Sequence, residues 1–251
     1  AGDIYQVNLS QRLRAPLGTT SWDLYRSLRR VSPVPYGAYL GLGDFDVVSA
    51  SPELFLRKDG MRVETRPIKG TRPRGRTLEE DRRLANDLLA SEKDRAENVM
   101  IVDLLRNDIG KVCETGSVKV PDLHSLESYA TVHHLVSTVV GTLGAGHDAV
   151  SLLKACFPGG SITGCPKIRS MEIIDELEPT QRGVYCGSIG FIGFDGSLDT
   201  SIAIRTVLVK EGWAYFQVGG AIVADSDPEA EYQETLDKAR AVLLALGGSY
   251  S

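Results

Sequence analysis

Two pairs of acids stand three residues apart: Asp94 with Glu97, and Glu231 with Glu234, the second followed one turn later by Lys238. Residues at i and i+3 share a helix face, so in a helix each pair points its carboxylates one way. Oxygen-only donors of this kind suit Mg²⁺, which takes one or two carboxylates and fills its shell with water and substrate oxygens. A solvated helix surface carries such pairs equally well, and spacing alone leaves both readings open. Two features favour burial. Glu97 runs into Val99-Met100-Ile101-Val102, and Glu231 and Glu234 flank Tyr232 soon after Gly219-Gly220.

Two glycine-bearing stretches and one lysine add to this. Pro158-Gly159-Gly160-Ser161-Ile162-Thr163-Gly164 leads into a helix, whose first backbone N–H groups attract anions. A nucleotide-triphosphate loop needs lysine after its last glycine, and Cys165 stands there instead. The loop therefore suits a carboxylate, or a tight turn with no ligand. Gly219-Gly220 reads as the end of a strand, either a bulge or a close backbone approach to a ligand. Lys69 lies in Arg66-Pro67-Ile68-Lys69-Gly70-Thr71-Arg72-Pro73-Arg74-Gly75. That segment is either a surface loop or a cation-rich pocket in which neighbouring arginines free the amine for attack. Glu53, in Ser51-Pro52-Glu53, is a candidate acid–base partner for it.

The elements that must position these residues are legible in part. Ile4–Leu13, Tyr36–Leu42, Asp46–Ala50, Glu53–Arg57 and Met61–Thr65 read as strands, with Asp59-Gly60 turning the last two. Ser21–Val31 reads as a helix. One long helix is expected from about Thr77 to Leu105 on the spacing of Leu84, Leu88, Leu89, Val99, Met100 and Leu104, with Asn107–Lys111 breaking it. His133–Gly141 is a strand or a short helix. Ala149–Phe157 and Pro166–Leu177 are helices, the latter with proline in its first turn. Tyr185–Gly193, Thr200–Lys210 and Ala214–Val218 form an antiparallel set with turns at Asp195-Gly196 and Glu211-Gly212. A final helix covers about Asp227 to Leu246. Strands and helices in runs, with hairpins in place of βαβ units, predict an α+β fold of antiparallel sheets, sandwich-like and flanked by helices, packed as one unit over residues 1–251.

The 251 residues carry a net charge of −5, which argues against a general nucleic-acid binder. No apolar run approaches the roughly eighteen residues of a membrane span, and no secretory signal is present. Cys113, Cys156, Cys165 and Cys186 show no metal-ligand spacing and read as thiols of a reducing cytoplasm. The chain opens inside a patterned element, which predicts a piece of a longer protein.

Together, IYQVNLSQR, SASPELF, TRPIKGTRPRG, DRAENVMIVDLLRNDIG, VHHLVSTVVG, FPGGSITGCPK, CGSIGFI, SIAIRT and VGGAIVADSDPEAEYQET resemble the chorismate-utilising enzymes, a family that includes anthranilate synthase component I and the isochorismate and salicylate synthases. The motifs run in the family's order from end to end. The resemblance implies the chorismate-binding fold without its N-terminal portion, whose loss would expose apolar surface open to self-association or a partner. It implies Mg²⁺ held by Glu97, Glu231 and Glu234, with Asp94 near by. It implies chorismate held by Arg205 and Tyr185, aided by Gln6, Thr71, the Gly219-Gly220 backbone and Lys238, and an active-site histidine at His134. Relatives that add water carry a lysine where this chain has Gln6, which points to ammonia as nucleophile, drawn from a glutamine amidotransferase subunit. Anthranilate synthases read Pro-Ile-Ala-Gly-Thr. Lys69 in Pro-Ile-Lys-Gly-Thr points to the branch that aminates chorismate at C4, with Lys69 as covalent nucleophile and Glu53 as proton shuttle. Cys165 departs from the family's usual alanine, a tolerable exchange of small residues.

Overall fold

A computed structural model describes residues 2–130 and 132–248. In chain order the elements are β1 (Gln6–Pro16), α1 (Ser21–Val31), β2 (Tyr36–Gly41), β3 (Asp46–Ser51), β4 (Leu54–Asp59), β5 (Arg62–Arg66), β6 (Ile68–Pro73), α2 (Leu78–Ala90), α3 (Glu92–Gly110), β7 (Lys119–Ser128) and β8 (Val132–Thr142). They continue with α4 (Ala149–Cys156), a 3₁₀ turn (Gly160–Ile162), β9 (Gly164–Cys165), α5 (Lys167–Leu177), β10 (Ser188–Ile192), β11 (Leu198–Ile202), β12 (Thr206–Lys210), β13 (Trp213–Ile222) and α6 (Pro228–Ala245). The mixture of helices and antiparallel sheet agrees with the α+β expectation. No helix among the described residues is long and apolar enough to cross a membrane.

The chain forms two compact units. The first comprises Ala1–Glu53, Ile162–Ile189 and Ser201–Ser251. Its sheet has the order β2-β3-β12-β13-β1-β9, and the described pairings are antiparallel. α1 and α6 pack on this sheet and close a core of Leu24, Leu28, Val48, Val207, Phe216, Ala239 and Val242. α1 matches its expected bounds: Thr20 caps it by accepting from the Asp23 N–H, and Leu24 and Leu28, four apart, face the core. The β12–β13 hairpin turns on Glu211 and Gly212, both at positive φ (51° and 76°), as a two-residue turn matched to strand twist requires.

The second unit comprises Leu54–Ser161 and Gly190–Thr200. The sheet to which its strands belong runs β10-β11-β4-β5-β8-β6, with β7 also on β8. α2 and α3 cover β6 and β8, and Ile101, Val102, Leu105 and Ile109 are the buried apolar face of α3.

Several elements differ from expectation. The long helix is two helices, because Ser91 leaves the helical region (ψ 107°) and its side chain caps α3 by accepting from the Asp94 N–H. α3 then runs through Asn107 to Gly110. The lysine segment is a strand, β6, paired along β8. β7 was not foreseen. The turn between β4 and β5 is centred on Gly60-Met61, with Gly60 at φ 54°. The expected strand Thr200–Lys210 is broken into β11 and β12, which belong to different sheets. Tyr185 precedes β10, so it lies outside a strand. Gly219-Gly220 sits inside β13, paired in unbroken register with Ser10 and Leu9, and is neither a loop nor a bulge.

Candidate active site

In the first unit, β1 brings two amides inward. Gln6 and Asn8 are two apart on a strand and share a face; they are 1% and 7% exposed, respectively. Both side-chain polar atoms of Gln6, and Nδ2 of Asn8, are buried without a hydrogen-bond partner. Buried polar groups are almost always partnered, and each such vacancy costs on the order of 1–3 kcal/mol. Three in one short stretch mark a place where a polar ligand would be welcome.

Beyond them on β13, Gly219 and Gly220 leave room that a side chain would fill. A Cβ on Gly219 would meet the Tyr185 hydroxyl at 2.8 Å and the Leu9 carbonyl at 2.5 Å. A Cβ on Gly220 would stand 3.4 Å from Glu231 Oε2 and 3.8 Å from Glu234 Oε1. The two acids of α6 thus converge over one glycine, as their spacing implied. Glu231 is buried and accepts from the Ser226 hydroxyl at 2.7 Å, whereas Glu234 is exposed and pairs with Lys238 at 2.6 Å. Lys238 also donates to the Gly219 carbonyl at 2.9 Å, tying α6 to β13.

Tyr185 and Arg205 are held by an irregular stretch. Cys186 N donates to the Ala203 carbonyl, Ala203 N to Gly187, and Ala50 N to Arg205. Cys186 and Arg205 both have positive φ (66° and 49°), a conformation that costs a non-glycine residue about 1 kcal/mol or more. Arg205 therefore sits in the break after β11, not on a central strand as its Ile204 and Thr206 neighbours suggested. Burial lowers its pKa, opposed by the Glu53 carboxylate. No hydrogen bond or ion pair reaches its guanidinium among the described residues. Glu53 is itself buried. Tyr185 is pushed well above the usual phenol range, chiefly by burial; the neighbouring Arg182 guanidinium acts the other way.

Sequence reasoning missed the pair beneath these residues. Arg182 donates to Glu178 at 2.9 Å and 2.5 Å, to the Ile162 carbonyl at 2.9 Å and to the Asn8 carbonyl, and its guanidinium lies over the Tyr185 ring, 5.4 Å from its centroid. Glu178 also accepts from Ser10 N and Oγ, each at 2.8 Å. The i, i+4 spacing of Glu178 and Arg182 was the available signal. Alternating Gln6 and Asn8 on an apolar strand was another.

The second unit carries the other candidates. Thr71 and His134 face each other across β6 and β8, with Thr71 Oγ1 2.9 Å from His134 Nδ1. His134 is buried, and its ring stands edge-on to Tyr129, centroids 5.7 Å apart. Lys69 is half-buried on β6. The cation-rich surroundings expected for it are neutralised: Arg66 pairs with Glu127, and Arg72 pairs with Asp94 at 3.0 Å. Asp94, against which a Gly70 side chain would clash, thus anchors β6 to α3. Glu97 is half-buried on α3, but Val99 beside it is exposed; burial begins at Asn98, Ile101 and Val102. The glycine loop after α4 does not open directly into a helix. It passes through the 3₁₀ turn and β9, and a Cβ on Gly164 would meet the Gln6 carbonyl at 2.2 Å, so strand packing alone requires that glycine.

The sequence matches the chorismate binding enzymes over residues 1–244. The chain belongs to that family. It is 54% identical to aminodeoxychorismate synthase component 1 of Salmonella typhimurium over 243 residues, 97% of this chain and 54% of that protein. It is equally, 54%, identical to anthranilate synthase component 1 of Thermus thermophilus over 246 residues, 98% of this chain and 54% of that protein. The crystal structure of anthranilate synthase component I from Streptococcus pneumoniae superposes with a TM-score of 0.88 at 44% identity, over 96% of this chain and 53% of that one. The chain thus spans about half the length of these relatives. Their names divide between two activities at equal identity.

The residues present fit a magnesium ion. Two carboxylates over a bare glycine give the one or two acidic ligands that Mg²⁺ uses. Among the described residues, no three His, Cys, Asp and Glu side chains gather into a complete site, so water and a ligand oxygen would fill the remaining positions.

Proposed function

We propose that the protein containing this chain aminates chorismate at C4, giving 4-amino-4-deoxychorismate, the aminodeoxychorismate synthase reaction. The observation that carries this reading is Lys69 in Pro-Ile-Lys-Gly-Thr, half-buried on β6 two residues from the Thr71–His134 pair.

The Lys69 amine attacks C2 of chorismate, both ring double bonds shift, and the C4 hydroxyl leaves with a proton as water. Ammonia then adds at C4 and the shift reverses, expelling the lysine amine. Two displacements replace one difficult step. Arg205 offers an unpaired guanidinium to a substrate carboxylate, and the buried amide of Gln6 offers a donor and an acceptor to the ring's polar edge. By the sequence resemblance, relatives that add water carry a lysine base where this chain has Gln6, which supports ammonia as nucleophile. Glu231 and Glu234 would hold Mg²⁺, which when bound neutralises a substrate carboxylate and orients it. The sequence resemblance, not the geometry of either unit, assigns Glu97 to the same ion and Glu53 to proton transfer at Lys69. The same resemblance, and relatives named as component 1, support a glutamine amidotransferase partner as the ammonia source.

A second reading, anthranilate synthesis by amination at C2, is favoured by the equal identity to the Thermus protein. The test is to incubate the protein with chorismate and Mg²⁺ without ammonia and weigh it intact. The reading expects a gain of chorismate minus water on Lys69, absent in Lys69→Ala, and the 4-amino product once ammonium is added. Anthranilate as the product, with no adduct, favours the second reading. A protein that makes the 4-amino product at full rate after Lys69→Ala rules out covalent catalysis by this lysine.

A further inference from the structure

Cys165 stands directly opposite Gln6 where β9 joins β1. Opposed residues of an antiparallel ladder project to the same face, so the thiol and the Gln6 amide share one face at the sheet's edge. Gln6 is 1% exposed, with its amide oxygen and nitrogen both lacking a partner. That unpartnered amide is independent evidence that a ligand belongs on this face, and Cys165 is half-buried there and in no disulfide.

Two of the other three cysteines are buried, and Cys113, half-buried like Cys165, is packed against Gly141. Cys156 is fully buried. Cys186 is buried beneath Arg182 and Tyr185, and burial pushes its thiol up to about 12. Cys113 is raised by burial and then by Glu114, and its Sγ lies 2.7 Å from where a Gly141 Cβ would stand. Thiolates are the reactive form, so each of these is poorly placed to react.

We propose that Cys165 is a covalent modification site on the wall of the substrate site, the thiol of this chain that an electrophile reaches first, and that modification there and chorismate binding exclude one another. The inference rests on Gln6 contacting substrate. An alkylating agent supplies a direct probe: with iodoacetamide, Sγ attacks the methylene carbon, the carbon–iodine bond breaks, iodide leaves, and the thiol proton passes to solvent. The added acetamide then occupies the space beside the Gln6 amide. An alanine at 165 would leave no such handle, so the sensitivity is particular to this chain's departure at that position.

The experiment first measures chorismate binding to the unlabelled protein with Mg²⁺ by calorimetry. The protein is then treated with iodoacetamide with and without chorismate, and labelled sites are mapped by peptide mass spectrometry. Cys165 should label first. With ligand at about ten times its dissociation constant, labelling should slow roughly tenfold, because only the unliganded fraction reacts. Protein labelled at Cys165 should lose chorismate binding, and Cys165→Ala should bind chorismate and keep that binding through the same treatment. Earlier labelling of Cys113, equal labelling rates with and without bound chorismate, or full chorismate binding by protein labelled at Cys165 would each overturn the proposal. Failure of the unlabelled protein to bind chorismate overturns both this proposal and the functional reading. Binding without protection overturns this proposal alone.

Discussion

Replacing Gln6 by methionine separates what the fold needs from what a ligand needs. The side chains have similar length and volume, so packing on β1 changes little. The change removes two buried polar atoms that have no partner in the described structure. Each carries a desolvation cost of about 1–3 kcal/mol, and replacing an unpaired group by an apolar one recovers it. Allowing for one polar atom already relieved by local adjustment, the ligand-free variant should be more stable by about 1–3 kcal/mol. For a chain of this size that raises the melting temperature by roughly 2–12 °C. Urea and thermal unfolding followed by circular dichroism would measure it. Chorismate should narrow or reverse the gap: at a hundred times its dissociation constant it adds about 2.7 kcal/mol to the wild type, and much less to a variant without the amide. A ligand-free Gln6→Met protein less stable than wild type, or one that binds chorismate equally well, would refute the argument that this amide is kept for a ligand.

Three further outcomes are expected. Arg182→Met should cost about 3–5 kcal/mol by stranding Glu178, whose side chain is only 5% exposed, and Arg182→Met with Glu178→Met should recover most of that loss in a double-mutant cycle; simple additivity in urea melts would contradict it. Glu231→Gln and Glu234→Gln should leave the fold intact and remove Mg²⁺-dependent turnover, so near-normal rates at low Mg²⁺ in either variant would exclude these acids as ligands. Asp81 is held well below the usual carboxylate range, first by the Arg74 hydrogen bonds, then by the Gly75 N–H and His133. Its folded pKa is depressed, so its stabilisation is present above the ordinary aspartate value and lost as pH falls below it; Asp81→Asn should be destabilised near neutrality, with the gap to wild type closing below about pH 4. A gap that stays constant into acid would show that Asp81 acts through shape and not charge.

What could be read from the sequence tracks how local the determining physics is. α1 was legible because its cap and its Leu24–Leu28 face lie within one stretch of chain. The hairpin at Glu211-Gly212 was legible for the same reason. The break at Ser91 was missed because Leu84, Leu88, Met100 and Leu104 keep helical spacing on either side of it; the capping serine was the overlooked cue. β6 was open to a loop reading because Lys-Gly-Thr-Arg-Pro has loop composition, and only its ladder with β8, more than sixty residues away, makes it a strand. Nothing local announces that Arg205 takes a left-handed conformation between β11 and β12 of the chain, since Ile204 and Thr206 look like ordinary strand neighbours.

The same division separates the candidate residues. The acids over Gly220 were predictable, because an i, i+3 spacing on a helix fixes their shared face wherever the helix docks. Thr71 with His134 required the β6–β8 register, and Arg182 with Glu178, Asn8 and Ser10 required three separate segments to meet. These tertiary pairings also hold the costly features of the first unit: two unpartnered amides, a positive-φ arginine without an ion pair, and a bare glycine under two acids. None of them improves packing, and each departs from what stability alone would select. Their gathering around β1, β13 and the break after β11 is more economically explained by a polar, carboxylate-bearing ligand than by four unrelated defects.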